Sequence, residues 1–299
     1  MSRRPNRSSP HPRRQHAPSS HRGHAEGRRE PTAFVKGGAK KGGEFVMGRN
    51  CVQEILKHAP GRIQEVFLAS THEEVARGGA RRRSLHEQVQ ALGVPLHQRT
   101  RTELDELVGS DSHQGVVARV SPRRVLEVDD LLHLVKSERL VRVLALDGVV
   151  DPQNFGAVLR AAECFGVDAV VWSKNRAAPM GPVVSKVSVG ASELLPLCPV
   201  SNLHRTLELV KQEGAWLVGA LLSDDAVGLD SFEFPEKCVI VMGSEGEGIQ
   251  QLIERSLDFR VMIPMVGEIS SLNVSQATAV MLSELSRQHR RMDKPGSLK

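Results

Sequence analysis

Five short apolar runs, at residues 143–146, 169–172, 216–220, 239–242 and 260–263, recur through the second half of this 299-residue chain. Strands that read as near-continuous apolar runs are buried on both faces, and strands alternating with helices need crossover connections. The pattern therefore predicts an α/β fold whose sheet is mainly parallel and covered by helices on both sides. Helical periodicity is expected over 154–165, 203–212 and 249–256. A long final helix is marked by Val274, Ala277, Thr278, Met281 and Leu285 at helical spacing, with Arg287, Arg290 and Arg291 at its end, where the helix dipole favours cations. Ligands of such sheets collect in the loops at the carboxyl ends of the strands.

The chain has room for about two domains. Residues 44–120 read as a smaller α/β module, helical over 51–57, 82–92 and 102–107 and extended over 63–69, 94–97 and 115–120. A linker with one helical turn is expected over 121–139, marked by Pro122 and by Asp129 and Asp130, before the larger domain over 140–292. Residues 1–43 and 293–299 are expected to be disordered.

The first 43 residues carry eleven Lys and Arg residues against Glu26 and Glu30, a net charge of +9. The whole chain carries +5, so the remainder is net −4. That tail holds almost nothing apolar and cannot offset the entropy lost on ordering. A polycation gains affinity for nucleic acid by releasing condensed counterions, which makes binding salt-sensitive; the alternative reading is a solvated tail that aids solubility. Its proline content and lack of apolar residues argue against an amphipathic targeting helix. The sequence has no secretory apolar segment and no apolar run of membrane-spanning length. Cys51, Cys164, Cys198 and Cys238 are scattered, with no CxxC pair, so neither a zinc site nor a disulfide framework is expected, and a reducing cytoplasm fits.

Three loops are chemically unusual. After the run at 143–146, Asp147 to Gln153 lead into a helix that is expected to open on Asn154 as its N-cap. Arg160, on an otherwise small and apolar helix, is either snorkelling to solvent or holding an anion. After 239–242, the chain empties into Gly243, Ser244, Glu245, Gly246, Glu247 and Gly248. Glycines there would let a ligand approach the main chain. Yet the order is GxxGxG, and no Lys-Ser or Lys-Thr pair follows to build a phosphate loop. Two carboxylates repel a phosphate and tolerate a cation, so a neutral or positively charged adenosyl ligand fits better than NAD or ATP. Glu245, nearest the strand end, is the candidate for the site, whereas Glu247 reads as a solvated acid. The third loop runs from Ile263 through Pro264, Gly267, Ser271 and Leu272 to Asn273, where Ser271 or Asn273 can cap the final helix or hold a ribose hydroxyl without adding charge.

Together, NFGAVLRAA after LDGVVDPQ, then VMGSEGEGI, then IPMVGEISSLNVSQATAVML, resemble motifs one, two and three of the SpoU family of RNA ribose 2′-O-methyltransferases, in the SPOUT superfamily. GRNCVQEILKHAPGRIQEVFLA and SHQGVVARV are similar to the N-terminal substrate-binding module of family members that methylate a guanosine of 23S rRNA. The resemblance covers about residues 44–291. It implies a catalytic domain tied in a deep trefoil knot, an arrangement that periodicity cannot reveal and that general topology rules disfavour. It also implies S-adenosylmethionine as methyl donor, with no metal, and a homodimer with a site built across the subunit interface. The implied partner is RNA, 23S rRNA or a pre-ribosomal particle, rather than DNA or a membrane. By motif position, Asn154, Arg160, Glu245, Ser271 and Asn273 match the catalytic set, and Gly243, Ile263 and Leu272 match positions that contact the cofactor. Gln153 departs from the histidine common there, and Gln276 and Thr278 vary the last helix.

Such a reaction asks mainly for alignment of hydroxyl, carbon and sulfur in line, and for relief of the proton on a weakly acidic ribose hydroxyl. The family role of general base implied for Arg160 conflicts with a guanidinium pKa above about 12. Arg160 is therefore expected to grip an RNA phosphate and stabilise developing negative charge. Competing functions are a tRNA ribose methyltransferase and a non-catalytic RNA-binding assembly factor. Intact motifs speak against the second, and the separate N-terminal module speaks for rRNA over tRNA. With 3% aromatic residues and no tyrosine, base stacking is expected to matter less than shape and phosphate contacts.

Overall fold

A computed structural model describes residues 43–69, 80–123, 125–269 and 271–292. Apart from Gly43, the tail and the C-terminal segment expected to be disordered lie outside the described residues.

The N-terminal sheet contains β1 (Glu44–Met47), β2 (Ile63–Ala69), β3 (Leu96–Arg99) and β4 (Val116–Val120) in the order β1-β4-β2-β3. Only β2 and β3 run parallel; the other pairs are antiparallel. Helix α1 (Arg49–His58) buries Val52 and Ile55 against this sheet. After α2 (Ala80–Ala91), the expected helix at 102–107 forms as α3 (Arg101–Val108). Its start is a capping box, in which the Thr100 hydroxyl accepts from the Glu103 N–H and the Glu103 carboxylate accepts from the Thr100 N–H. Gly109, at φ 64°, ends it. Strand β1 was not expected from the sequence.

The second sheet has seven strands, all parallel: β5 (Val141–Leu146), β6 (Ala169–Ser173), β7 (Leu197–Val200), β8 (Trp216–Ala220), β9 (Val227–Gly228), β10 (Lys237–Met242) and β11 (Phe259–Met262). Their order is β7-β6-β5-β10-β8-β11-β9. Successive residues of a strand point to opposite faces, and in the central strands β5, β6 and β10 both faces are buried, which is why those runs read as continuous apolar sequence. Leu144, Leu146, Val170, Trp172, Ile240 and Met242 pack with α5 (Pro152–Cys164) and α10 (Val274–Met292). Val143, Ala145, Val171, Val239 and Val241 pack with α4 (Val128–Ser137), α8 (Leu203–Gln212) and Ile253 of α9 (Gln251–Glu254). Each fully buried Val, Leu or Ile contributes on the order of 1.5–3 kcal/mol, so this two-faced core dominates the stability of the fold.

Three differences from expectation have local causes. Helix α4 has ten residues where one turn was expected, because Leu131 and Val135 find a place in the second core. The helix expected over 249–256 forms only over Gln251–Glu254. Between β6 and β7 lie two short helices, α6 (Pro182–Val187) and α7 (Ala191–Leu194), that have no clear periodicity in the sequence.

These short helices carry the joint between the two sheets' layers. Glu193 of α7 has a fully buried side chain, held by Arg62 at 3.0 Å and Arg123 at 3.1 Å, with Ser185 and Ser192 hydroxyls donating to the same carboxylate. Arg62 also donates to the Glu193 and Ser121 carbonyls, and Arg123 to that of Ser192. Cys51 Sγ of α1 lies 3.0 Å from Ser185 Oγ, and burial pushes this thiol up to about 12, so it remains protonated there.

Candidate active site

Three loops at the carboxyl end of the large sheet meet through one hydrogen-bond triangle. Asp151 caps α5 by accepting from the Asn154 N–H at 2.9 Å, and Pro152 occupies the first helical position. This corrects the expectation that Asn154 is the cap. Because Asp151 takes that task, the Asn154 carboxamide is free to turn inward. Its Nδ2 donates to Glu245 Oε1 at 3.3 Å, and its Oδ1 accepts from Asn273 Nδ2 at 2.9 Å. Asn273 Nδ2 also donates to Glu245 Oε1, which in addition accepts from the Val274 N–H. Asn273 Oδ1 accepts from the N–H and the hydroxyl of Ser275, so this one residue both caps α10 and closes the triangle.

The glycine loop after β10 is shaped by its own backbone. Ser244 and Gly248 exchange N–H···O=C bonds of 3.0 and 3.1 Å, folding residues 244–248 into a tight hairpin. A Cβ on Gly243 would lie 2.2 Å from the Gly248 carbonyl carbon and 2.5 Å from the Ile249 nitrogen. Gly243 is thus required so that the loop can close on itself, whereas the sequence suggested that the glycines admit a ligand to the main chain. Asp147, buried at the end of β5, fixes the far side of the loop by accepting from the N–H and the side-chain amide of Gln250 at 2.7 and 2.6 Å.

Two hollows flank this hairpin. A cleft of about 920 Å³ opens over the ends of β8, β10 and β11 and is lined by Leu221, Met242, Gly243, Ile263, Ser271 and Leu272, among others. A groove of about 550 Å³ lies over the ends of β5 and β6 and is lined by Gly148, Asp151, Asn154, Asn175 and Arg176. Ser244 to Glu247 and Val274 border both, so Glu245 stands on the ridge between them. Among the described residues no cation lines the larger cleft, and Glu245, Glu247 and Glu254 stand on its rim. That lining disfavours a phosphate and tolerates a positively charged ligand.

The chain carries two family matches: SpoU rRNA Methylase family over residues 142–283, and RNA 2′-O ribose methyltransferase substrate binding over residues 45–126. The 23S rRNA (guanosine-2′-O-)-methyltransferase RlmB of Pseudomonas aeruginosa is 42% identical over 246 residues, which is 82% of this chain and 96% of that protein. The chain belongs to the SpoU rRNA methylase family. RlmB of Escherichia coli is 39% identical, over 82% of this chain and 98% of its own length. Among solved structures, the SpoU methyltransferase AviRb from Streptomyces viridochromogenes, in complex with AdoMet, shares the fold at TM-score 0.65 and 21% identity, covering 83% of this chain and 91% of that one.

In this SpoU chain seven of the eight residues singled out from sequence come together. Gly243, Ile263, Ser271, Leu272 and Asn273 line the larger cleft, Asn154 the smaller groove, and Glu245 both. Arg160 does not join them. It lies exposed on α5, and among the described residues it has neither an ion pair nor a hydrogen-bond partner for its side chain. Asp147, Asp151 and Arg176 were not singled out. Asp147 had a faint signal, an acid ending an apolar strand before Gly148, while nothing in the run around Arg176 distinguishes it from an ordinary surface loop.

Proposed function

We propose that this chain transfers the methyl group of S-adenosylmethionine to the ribose 2′-hydroxyl of a guanosine in 23S rRNA. The reading is carried by one observation: Asn154, Glu245 and Asn273 form a single bonded unit on the ridge between a cation-tolerant cleft and a second groove. The roughly 40% identity to RlmB proteins over nearly their whole length supports the choice of substrate.

The larger cleft is of a size for a nucleoside-type ligand. Its lining of Met242, Ile263 and Leu272, with carboxylates at the rim, fits S-adenosylmethionine, whose sulfonium would supply an electrophilic methyl group. Gly243, Ile263 and Leu272 would hold it. Asn154 on the groove side and Asn273 on the cleft side, both bonded to Glu245, form the fixed ridge against which the ribose is held in line. Ser271 offers a hydroxyl that orients the same sugar. The acceptor oxygen needs a cation to favour its alkoxide character, and Arg160 lies outside both hollows of its own chain. A homodimer in which Arg160 of the partner subunit reaches the ridge completes the site. In this reading residues 44–120 form the RNA-binding module, residues 140–292 a knotted catalytic domain, and the basic tail adds salt-sensitive affinity for rRNA or pre-ribosomal particles in the cytoplasm.

The test is a map of ribose 2′-O-methylation in rRNA and tRNA from cells with and without the protein. Loss at one 23S guanosine is expected. Loss confined to a tRNA position would overturn the substrate.

A further inference from the structure

RNA must approach this ridge past carboxylates. Asp151, Glu245 and Glu247 all border the smaller groove, and Arg160 does not. Among the described residues one cation lines either hollow, Arg176. Its backbone is fixed: the Arg176 N–H donates to the Ser173 carbonyl at 3.1 Å, and the Ala178 N–H donates to Val149 at 3.0 Å, stitching the loop after β6 to the loop after β5. Gly148, which turns the loop after β5 at φ 78°, brings that loop's backbone alongside the guanidinium, and a Cβ there would lie in ordinary contact with Arg176 Nη2 at 3.7 Å.

The side chain is held far more weakly than the backbone. Arg176 reaches across the groove to Glu247 through one 3.4 Å contact, and the Glu247 side chain is 84% exposed. A solvated ion pair of this kind adds little stability and opens readily. A guanidinium matches a phosphate with two parallel hydrogen bonds, a stronger arrangement than a single long contact to a solvated carboxylate.

We propose that Arg176 is the phosphate-positioning residue of the substrate groove, and that Glu247 holds its place until RNA arrives. On binding, Arg176 exchanges the Glu247 carboxylate for the backbone phosphate beside the target ribose, so the sugar lies against Asn154. This rests on the methyltransferase reading for the identity of the ribose, but the phosphate contact itself does not depend on turnover. Asp151 is committed to capping α5 and Glu245 to the triangle, which leaves Glu247 as the one groove carboxylate free to trade.

The experiment measures binding of a 23S rRNA transcript to the full chain across a range of salt concentrations, alongside S-adenosylmethionine affinity. Arg176→Ala should weaken RNA binding about tenfold and make the log–log salt slope shallower by about 0.7–0.9, the loss of one phosphate contact. S-adenosylmethionine affinity should stay within twofold. Arg176→Lys should keep the slope and lose part of the affinity, because a point charge replaces a fork. Glu247→Gln should tighten RNA binding by removing the competitor. An unchanged slope in Arg176→Ala, or equal damage from Arg176→Ala and Glu247→Gln, would overturn the proposal, the second outcome showing the pair to be a structural bridge. Should the wild-type chain bind RNA with this dependence yet transfer no methyl, the methyltransferase reading would fall and the phosphate site would stand.

Discussion

Replacing Gly243 by alanine is expected to weaken S-adenosylmethionine binding by about a hundredfold or more, roughly 3 kcal/mol, while leaving the secondary structure intact. Gly243 does not adopt a left-handed conformation, so the obstacle is purely steric. The added methyl would sit 2.2 to 2.5 Å from three main-chain atoms of Gly248 and Ile249. Backbone cannot swing aside as a flexible side chain can. The Ser244–Gly248 hairpin must open, which moves the wall of the larger cleft and takes Glu245 off the ridge. Calorimetric titration of the variant with S-adenosylmethionine, with circular dichroism as the control for folding, measures this directly. Unaltered affinity in a well-folded variant would mean that the cofactor does not occupy this cleft.

Glu193→Gln is expected to loosen the joint between the N-terminal module and the large sheet. The carboxylate is fully buried between two guanidinium groups that are themselves mostly covered, with exposures of 18% for Arg62 and 13% for Arg123. Removing one member of such a set strands the remaining charges away from water, at a cost of about 3–5 kcal/mol. Both arginines can regain some solvent by swinging out, so the lower end of that range applies. For a protein of this size the loss corresponds to a fall of roughly 6–12 °C in the first unfolding midpoint. Cleavage by a protease should rise over residues 121–127, while S-adenosylmethionine binding persists. A variant that melts and is cut like the parent would show the joint to be held by apolar packing instead.

Much of the fold was legible because burial writes itself into sequence. Strands covered on both faces must be apolar throughout, and five such runs marked the large sheet. The strands that escaped are short: β1 and β7 have four residues each, β7 interrupted by Pro199, and β9 has two, Val227 and Gly228. Helix α4 was hidden by Asp129 and Asp130, which favour its first turn instead of breaking it. At the site, the polar residues after apolar strands were visible as chemistry, but their division of labour was not. Asn154 and Asp151 are both good caps, and only the folded loop decides that Asp151 caps while Asn154 turns to Glu245. Gly243 was read as an opening for a ligand, and the contact that requires it is with a residue five positions on. Arg176 carried no mark because its significance comes from the loops of β5 and β10 that surround it.

The most direct test of the whole account is a transfer assay with purified chain, isotope-labelled S-adenosylmethionine and 23S rRNA, followed by nuclease digestion and mass spectrometry of the nucleosides. A single guanosine carrying the label on its ribose 2′ oxygen is the predicted result, with loss of transfer in Glu245→Ala. Label on a base, or bound donor with no transfer to any ribose, would contradict it.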